Sequence, residues 1–298
     1  MSTEGVEALA VRAQTPERVR RRRRGRPFYR SLLLHATLLV AVFISLFPPA
    51  VILLTSFKPR AEVLSAKFKL FVDPSLDNYR YILGDGLFVH WAVNSLVVAL
   101  ATTVVGLFLA STAAYAFSRF RFPAYRPLLQ TFLVMQMFPG IILIVPLFNI
   151  LSSLKLVNTQ LGLIIAYSTL AVPFCVYMLK SYFDTIPIEI EEAARVDGLS
   201  PFGAFWRIVL PLSLPGLAVT AFYCFLTAWN EFLIANILMT TDTRQTLPVG
   251  IARYVGQFQA EWHLLTAASV IILLPTLAVF FFAQRFLISG LTAGGTKG

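Results

Sequence analysis

Charge is scarce in this 298-residue chain, where 13% of residues are Asp, Glu, Lys or Arg, against roughly 25% in soluble globular domains. Hydrophobic residues make up 57% and the mean hydropathy is +0.72, a balance that excludes an ordinary water-soluble enzyme or a disordered regulator. Cysteine is almost missing: Cys175 and Cys224 both lie in apolar runs, which excludes a disulfide-stapled secreted scaffold and reads as two small buried hydrophobes. Histidine is limited to His35, His90 and His263, scattered without H-E-x-x-H or Cys/His spacing, so no metal site is expected. No G-x-x-x-x-G-K-[ST] phosphate loop occurs, so the chain is not expected to hydrolyse ATP itself. Ser289 follows the last apolar run with no partner base evident, and no catalytic residue is assigned.

Long apolar runs are what the chain does have, at about 32–57, 92–117, 127–151, 161–179, 213–240 and 265–287. Each is long enough for a helical crossing. Backbone amides must pair within hydrocarbon, and the runs lack the alternation of barrel strands, so the expected fold is an all-α integral membrane protein of six transmembrane helices. Pro48, Pro49, Pro139, Pro146, Pro173 and Pro275 fall inside these runs and predict bends, which serve shape or switching. No internal repeat and no low-complexity linker appear beyond an arginine-rich start.

Residues 1–30 carry nine arginines, including Arg20 to Arg24, and read as a basic cytoplasmic tail beside the first span; a nucleic-acid arm is the competing reading, and no nucleic-acid partner is expected. The span from Leu32 to Phe57 exceeds a signal-peptide core. With the N-terminus inside, seventeen basic residues fall on the cytoplasmic side and eight on the other, which places both termini in the cytoplasm.

Two stretches invite a functional reading. Glu231, next to Asn230, is the only carboxylate inside an assigned span; it is a pathway or gate candidate, either packed with a hydrogen-bonded neighbour or binding a proton or cation as in an ion-coupled secondary transporter. The connection before the fifth span, 187–211, is richer in signals. Pro187 suits a first helical turn, the acids after it suit a helix N-terminus, Gly198 can take the positive φ that ends a helix, Ser200 can cap the next one with Pro201 at its first position, and Pro211 closes the segment. The segment is a docking elbow or a solvated amphipathic loop.

Glu192, Ala193, Ala194, Gly198, Ile208, Leu210 and Pro211 spell E-A-A, three residues, G, nine residues, I-x-L-P. This resembles the signature loop of ABC importer permease subunits, the binding-protein-dependent inner-membrane components. Trp229-Asn230-Glu231-Phe232, the run Thr246-Leu247-Pro248-Val249-Gly250 and the tail Gly290 to Gly298 are similar to carbohydrate permeases, the MalG-type subunits of maltose importers in particular. The resemblance covers approximately 32–298, and residues 31–298 are taken as one permease domain with a C-terminal tail at 288–298.

That resemblance implies a multi-pass subunit of a bacterial or archaeal cytoplasmic membrane importing maltose, maltodextrin, trehalose or a related α-glucoside. It implies a second permease subunit, two ATP-binding-cassette ATPase subunits and an extracytoplasmic sugar-binding protein as partners in the lipid bilayer. ATP and Mg would be held by the ATPase subunits, with no cofactor on this chain. The coupling loop, with Glu192, Ala193, Ala194, Asp197, Gly198, Ile208, Leu210 and Pro211, would meet an ATPase subunit, as would residues 290–298. Thr246, Leu247, Pro248, Val249 and Gly250 would lie in the loop facing the binding protein.

Overall fold

A computed structural model describes residues 28–63, 65, 73–256 and 261–294. Most of the basic tail, part of the first outer connection, residues 257–260 and the end of the tail from 295 lie outside the described residues. Every regular element among the described residues is a helix, in keeping with the all-α expectation. Four helices are long and apolar enough to cross a bilayer, and two sharply bent pairs raise the number to six if each pair is one span.

The chain divides into two units, residues 1–50 and 51–298. The first holds most of helix α1, Phe28–Ser56, whose 29 residues reach about 44 Å. Pro48 and Pro49 sit within it.

In the second unit α1 ends at Ser56, whose hydroxyl lies 2.6 Å from Tyr79 Oη. The short α2, Arg60–Val63, and α3, Asp77–Gly84, follow. Asn78 ties α3 to the end of α1 and the turn after it, its side-chain amide donating to the carbonyls of Ser56 and Lys58, both at 2.9 Å. Helix α4, Gly86–Arg119, starts where the Asp85 side chain accepts from Leu87 N–H. Its buried stripe runs Phe88, Trp91, Ser95, Val98, Thr102, Gly106, Ala110, Ala114 and Phe117, the three-to-four residue spacing of one helical face. Ala99, Ala110 and Ala114 on that face let neighbouring helices come close. Val104, Phe108 and Leu109 on other faces are exposed, which is how a helix reads when lipid, not water, is its outer solvent.

The run expected as one crossing at 127–151 is broken. Helix α5, Tyr125–Met137, and α6, Gly140–Ser153, meet at 106°. Pro139 offers no backbone donor and holds Phe138 extended at φ −74°, ψ 128°, so the helix stops there. Helix α7, Gln160–Phe183, by contrast carries Pro173 without interruption. The elbow follows as α8, Ile188–Val196, then α9, Pro201–Ala204, a wide π turn over Phe205–Val209, and α10, Leu210–Leu212. Helix α11, Leu214–Trp229, leaves at 81°. The break falls at Ser213, two residues past Pro211, so Pro211 lies within the last turn of the elbow and does not close it.

The expected fifth span at 213–240 is also interrupted, because Asn230–Phe232 separates α11 from α12, Leu233–Leu238. Helix α13, Leu247–Ala252, and α14, Trp262–Gly294, complete the order. The buried side chains form two clusters. Phe88, Trp91, Leu163, Tyr167, Phe225 and Leu247 belong to one, and Phe117, Leu179, Phe183, Phe205 and Val209 to the other, which adjoins the elbow. Cys175 and Cys224 are buried free thiols of the second cluster.

Candidate functional site

The elbow is built on a short helix with two unlike faces. Helix α8 ends as the sequence predicts. Gly198 takes φ +92°, and the N–H groups of Gly198 and Leu199 reach the carbonyls of Arg195 and Ala194, both at 3.1 Å. This is the 5→2 and 6→1 pair of a Schellman stop. Ser200 Oγ then accepts from Gly203 N–H at 3.1 Å with Pro201 at the first helical position. Of the residues singled out by the motif, Glu192, Ala193, Asp197, Gly198 and Pro211 are exposed, Ile208 and Leu210 half-buried, and Ala194 buried. One alanine is therefore offered outward and the other seats α8 on its own chain. Ile188, Ile190 and Val196 add exposed apolar surface, Val196 at 88%.

Glu191, one residue before the motif, does the anchoring. Its side chain is 6% exposed and pairs with Arg119, 8% exposed, at the last turn of α4. Tyr115 Oη donates to Glu191 Oε2 at 2.9 Å. Arg119 also donates to the Ile186 carbonyl at 3.0 Å and to Ser118 Oγ at 2.9 Å. Ser118 donates to Asp184 Oδ1 at 2.7 Å, and Lys180 Nζ lies 2.6 Å from Asp184 Oδ2. The cation also sits favourably at the negative end of the α4 dipole. Such a buried pair is held by geometry and neighbouring donors, and removing one partner alone costs about 3–5 kcal/mol because the other charge is stranded. Sequence reasoning missed this group: Arg119 counted only toward orientation and Glu191 only as an acid near a helix start. The available signal was Glu191 and Ala194 three residues apart, hence on one face.

At the opposite end of α4 the connection 241–255 folds back onto the chain. Trp91 Nε1 donates to the Asp242 carbonyl at 2.7 Å, Asn94 to the carbonyls of Thr243 and Gln245 at 2.8 and 3.0 Å, and Ser95 Oγ accepts from Leu247 N–H at 2.7 Å. Asn158, in a left-handed turn at φ 59°, exchanges hydrogen bonds with Thr241. Thr246, Leu247, Val249 and Gly250 are consequently buried and Pro248 half-buried. The exposed surface of this connection is carried by 240–244 and by Ala252, Arg253 and Val255. Arg253 pairs with Asp242 and lies 5.6 Å from the Trp91 ring centroid, and its hydrogen bond holds the Asp242 carboxyl below the ordinary carboxylate range.

Glu231 is placed by the break after α11. Its two carboxylate oxygens accept from Ile234 N–H at 2.8 Å and Ala235 N–H at 3.0 Å, so it caps the first turn of α12 and satisfies donors the helix leaves open. Asn230 is exposed and its amide donates to the Leu226 carbonyl at 2.9 Å. Glu231 and the 241–255 connection thus lie apart from the elbow, and α4 bonds to both the elbow and that connection.

Residues 102–292, which take in the second half of α4, the elbow and nearly all of α14, match the family described as binding-protein-dependent transport system inner membrane component. The chain belongs to that family. This permease is 42% identical to the inner membrane ABC transporter permease protein YcjP of Escherichia coli (strain K12), over 86% of this chain and 93% of that protein. It is 38% identical to the trehalose transport system permease protein SugB of Mycobacterium tuberculosis (strain CDC 1551 / Oshkosh), over 85% and 93%. Its fold is similar to a solved chain of a bacterial ABC transporter involved in import of the acidic polysaccharide alginate, with TM-score 0.76 at 22% identity over 86% and 95% of the two chains. The permease is therefore a multi-pass inner-membrane subunit of an ABC importer.

Proposed function

We propose that this permease forms half of a sugar pathway, paired with a second permease subunit, and that it imports trehalose, maltose, maltodextrin or a related α-glucoside. Trehalose is the sugar in the name of the mycobacterial relative, which supports an α-glucoside. Two separate ATPase subunits hold ATP and Mg and hydrolyse the nucleotide, and an extracytoplasmic binding protein delivers the sugar to the end of the bundle that carries 240–244 and 252–255. The elbow and both termini face the cytoplasm, with residues 290–298 near the ATPase. ATP closure drives the pathway between inward-facing and outward-facing states only because the partners bind one state better than the other.

The observation that carries this reading is the division of α8. Glu191 and Ala194 are buried and clamp the helix, while Glu192, Ala193 and Val196 are presented outward. A helix held this firmly with an apolar and small-residue face turned out is a docking element, and a merely solvated loop has no need of a buried ion pair beneath it. Glu231, engaged by two backbone amides, acts as a helix cap, which disfavours an ion-coupled carrier. The test is a Val196→Cys variant in the assembled importer. Crosslinking to an ATPase subunit in a complex that imports sugar is expected; sugar import by a complex in which no position of the exposed α8 face reaches an ATPase would refute it.

A further inference from the structure

We infer that α4 is the rod that carries movement of the elbow across the membrane to the 241–255 connection, with Arg119 the positioning residue that fastens α8 to it. The inference rests on the docking reading above and adds the route.

Three observations converge on α4. Of the four long apolar helices, α1, α7 and α14 each contain an internal proline and α4 contains none. A helix with its hydrogen-bond ladder uninterrupted resists the bending that proline permits. Its 34 residues reach about 51 Å, enough to span the bilayer with both ends free to bond. At one end Arg119 grips the base of α8 through Glu191 and the chain just before α8 through the Ile186 carbonyl, while Tyr115 bonds Glu191 from one turn earlier. At the other end Trp91, Asn94 and Ser95, on consecutive turns, hold Asp242, Thr243, Gln245 and Leu247.

Both attachments are made to backbone as well as to side chains. Ile186, Asp242, Thr243 and Gln245 are held at their carbonyls and Leu247 at its N–H, so a shift of α4 moves the path of the chain at both ends. Ser118 and Asp184 tie the end of α7 into the same knot, which steadies the pivot. With Arg119 in place, displacement of α8 becomes displacement of α4, and displacement of α4 unseats or reseats the far connection.

The experiment uses the complete importer in lipid nanodiscs, trapped with Mg-ATP and vanadate, and reads backbone amide exchange over 241–255 by mass spectrometry. In the wild-type complex trapping is expected to change exchange there at least threefold. Arg119→Met is expected to abolish that change while nucleotide is still trapped, Arg119→Lys to leave a reduced change, and the exchanged pair Arg119→Glu with Glu191→Arg to restore part of it. A merely structural loss would lower nucleotide trapping and the exchange response together, and recovery by the exchanged pair would not follow. A trapped Arg119→Met complex with the full wild-type response overturns the inference, as does a wild-type complex with no response. If Arg119→Met does not accumulate, Tyr115→Phe and Arg119→Lys decide on the same readout. Failure of the docking reading is separate and shows as a missing Val196→Cys crosslink in the trapped wild-type complex.

Discussion

Gly250 lies where α13 crosses the Trp91 ring, and a Cβ built there overlaps the indole carbons. Gly250→Ala must therefore displace either α13 or Trp91. The indole has little freedom to yield, because Nε1 donates to the Asp242 carbonyl and Arg253 lies over the ring. Overpacking of this kind costs about 1–3 kcal/mol, and about 2 kcal/mol opens the connection some 30-fold more often, since 1.4 kcal/mol is about tenfold. The expected outcome of Gly250→Ala is accordingly about 30-fold faster amide exchange at Leu247 and Gly250, whose N–H groups bond to Ser95 Oγ and the Thr246 carbonyl. Exchange around α8 should be unchanged. Making room with Trp91→Phe should remove most of the added cost, so the two substitutions together disturb the connection less than their separate effects sum to. Rates within twofold of wild type across 246–255 in Gly250→Ala would show that the ring and α13 are not in the tight contact the argument needs.

Glu231→Ala removes the acceptor of two amides and should cost about 1 kcal/mol of local stability at α12, read as faster exchange at Ile234 and Ala235, whereas Glu231→Gln keeps one acceptor oxygen and should retain most of the protection and of the sugar uptake. Asp242 has its carboxyl depressed by the Arg253 hydrogen bond, so its stabilising contribution is complete above the ordinary carboxylate value of about 3.9 and is lost as pH falls through the lower folded value. The exchange difference between wild type and Asp242→Asn over 241–255, compared at equal pH, should thus be constant from about pH 5 to 8 and vanish only in stronger acid. Gly198→Ala forces a side chain into φ +92° and should cost about 1–2 kcal/mol at the end of α8, seen as lowered protection of Leu199 and weaker ATPase crosslinking at Val196→Cys.

The class of the fold was legible because hydropathy is a bulk property: a run of apolar residues has to be a helix in hydrocarbon whatever its neighbours. The breaks were less legible. Pro139, Pro146 and Pro173 carry the same local chemistry, yet α6 and α7 continue through the last two and the chain stops only at Pro139, which Gly140 follows. Whether a proline bends or ends a helix depends on what packs across the gap, and sequence does not print that. The elbow was readable down to Gly198 and Ser200 because caps are local and act within a few residues.

What the motif could not reveal is why it works as a unit. Glu192 and Ala193 look outward, so their chemistry is directed at a partner, and pattern alone finds them. The residues that hold them in place, Arg119, Tyr115 and Glu191, are 72 to 76 positions apart in pairing, and nothing in either segment alone announces the other. The same holds for Thr246 to Gly250, where a run that reads as a reaching loop is largely the seat on which its exposed neighbours rest. In both cases the exposed group is the visible part and the buried group decides its position. A permease that must move one partner in response to another needs both, and the proline-free α4 bonds to both buried groups. Substitutions that leave every exposed motif residue intact but loosen Arg119 should therefore do more harm to coupling than substitution of Glu192 does to assembly.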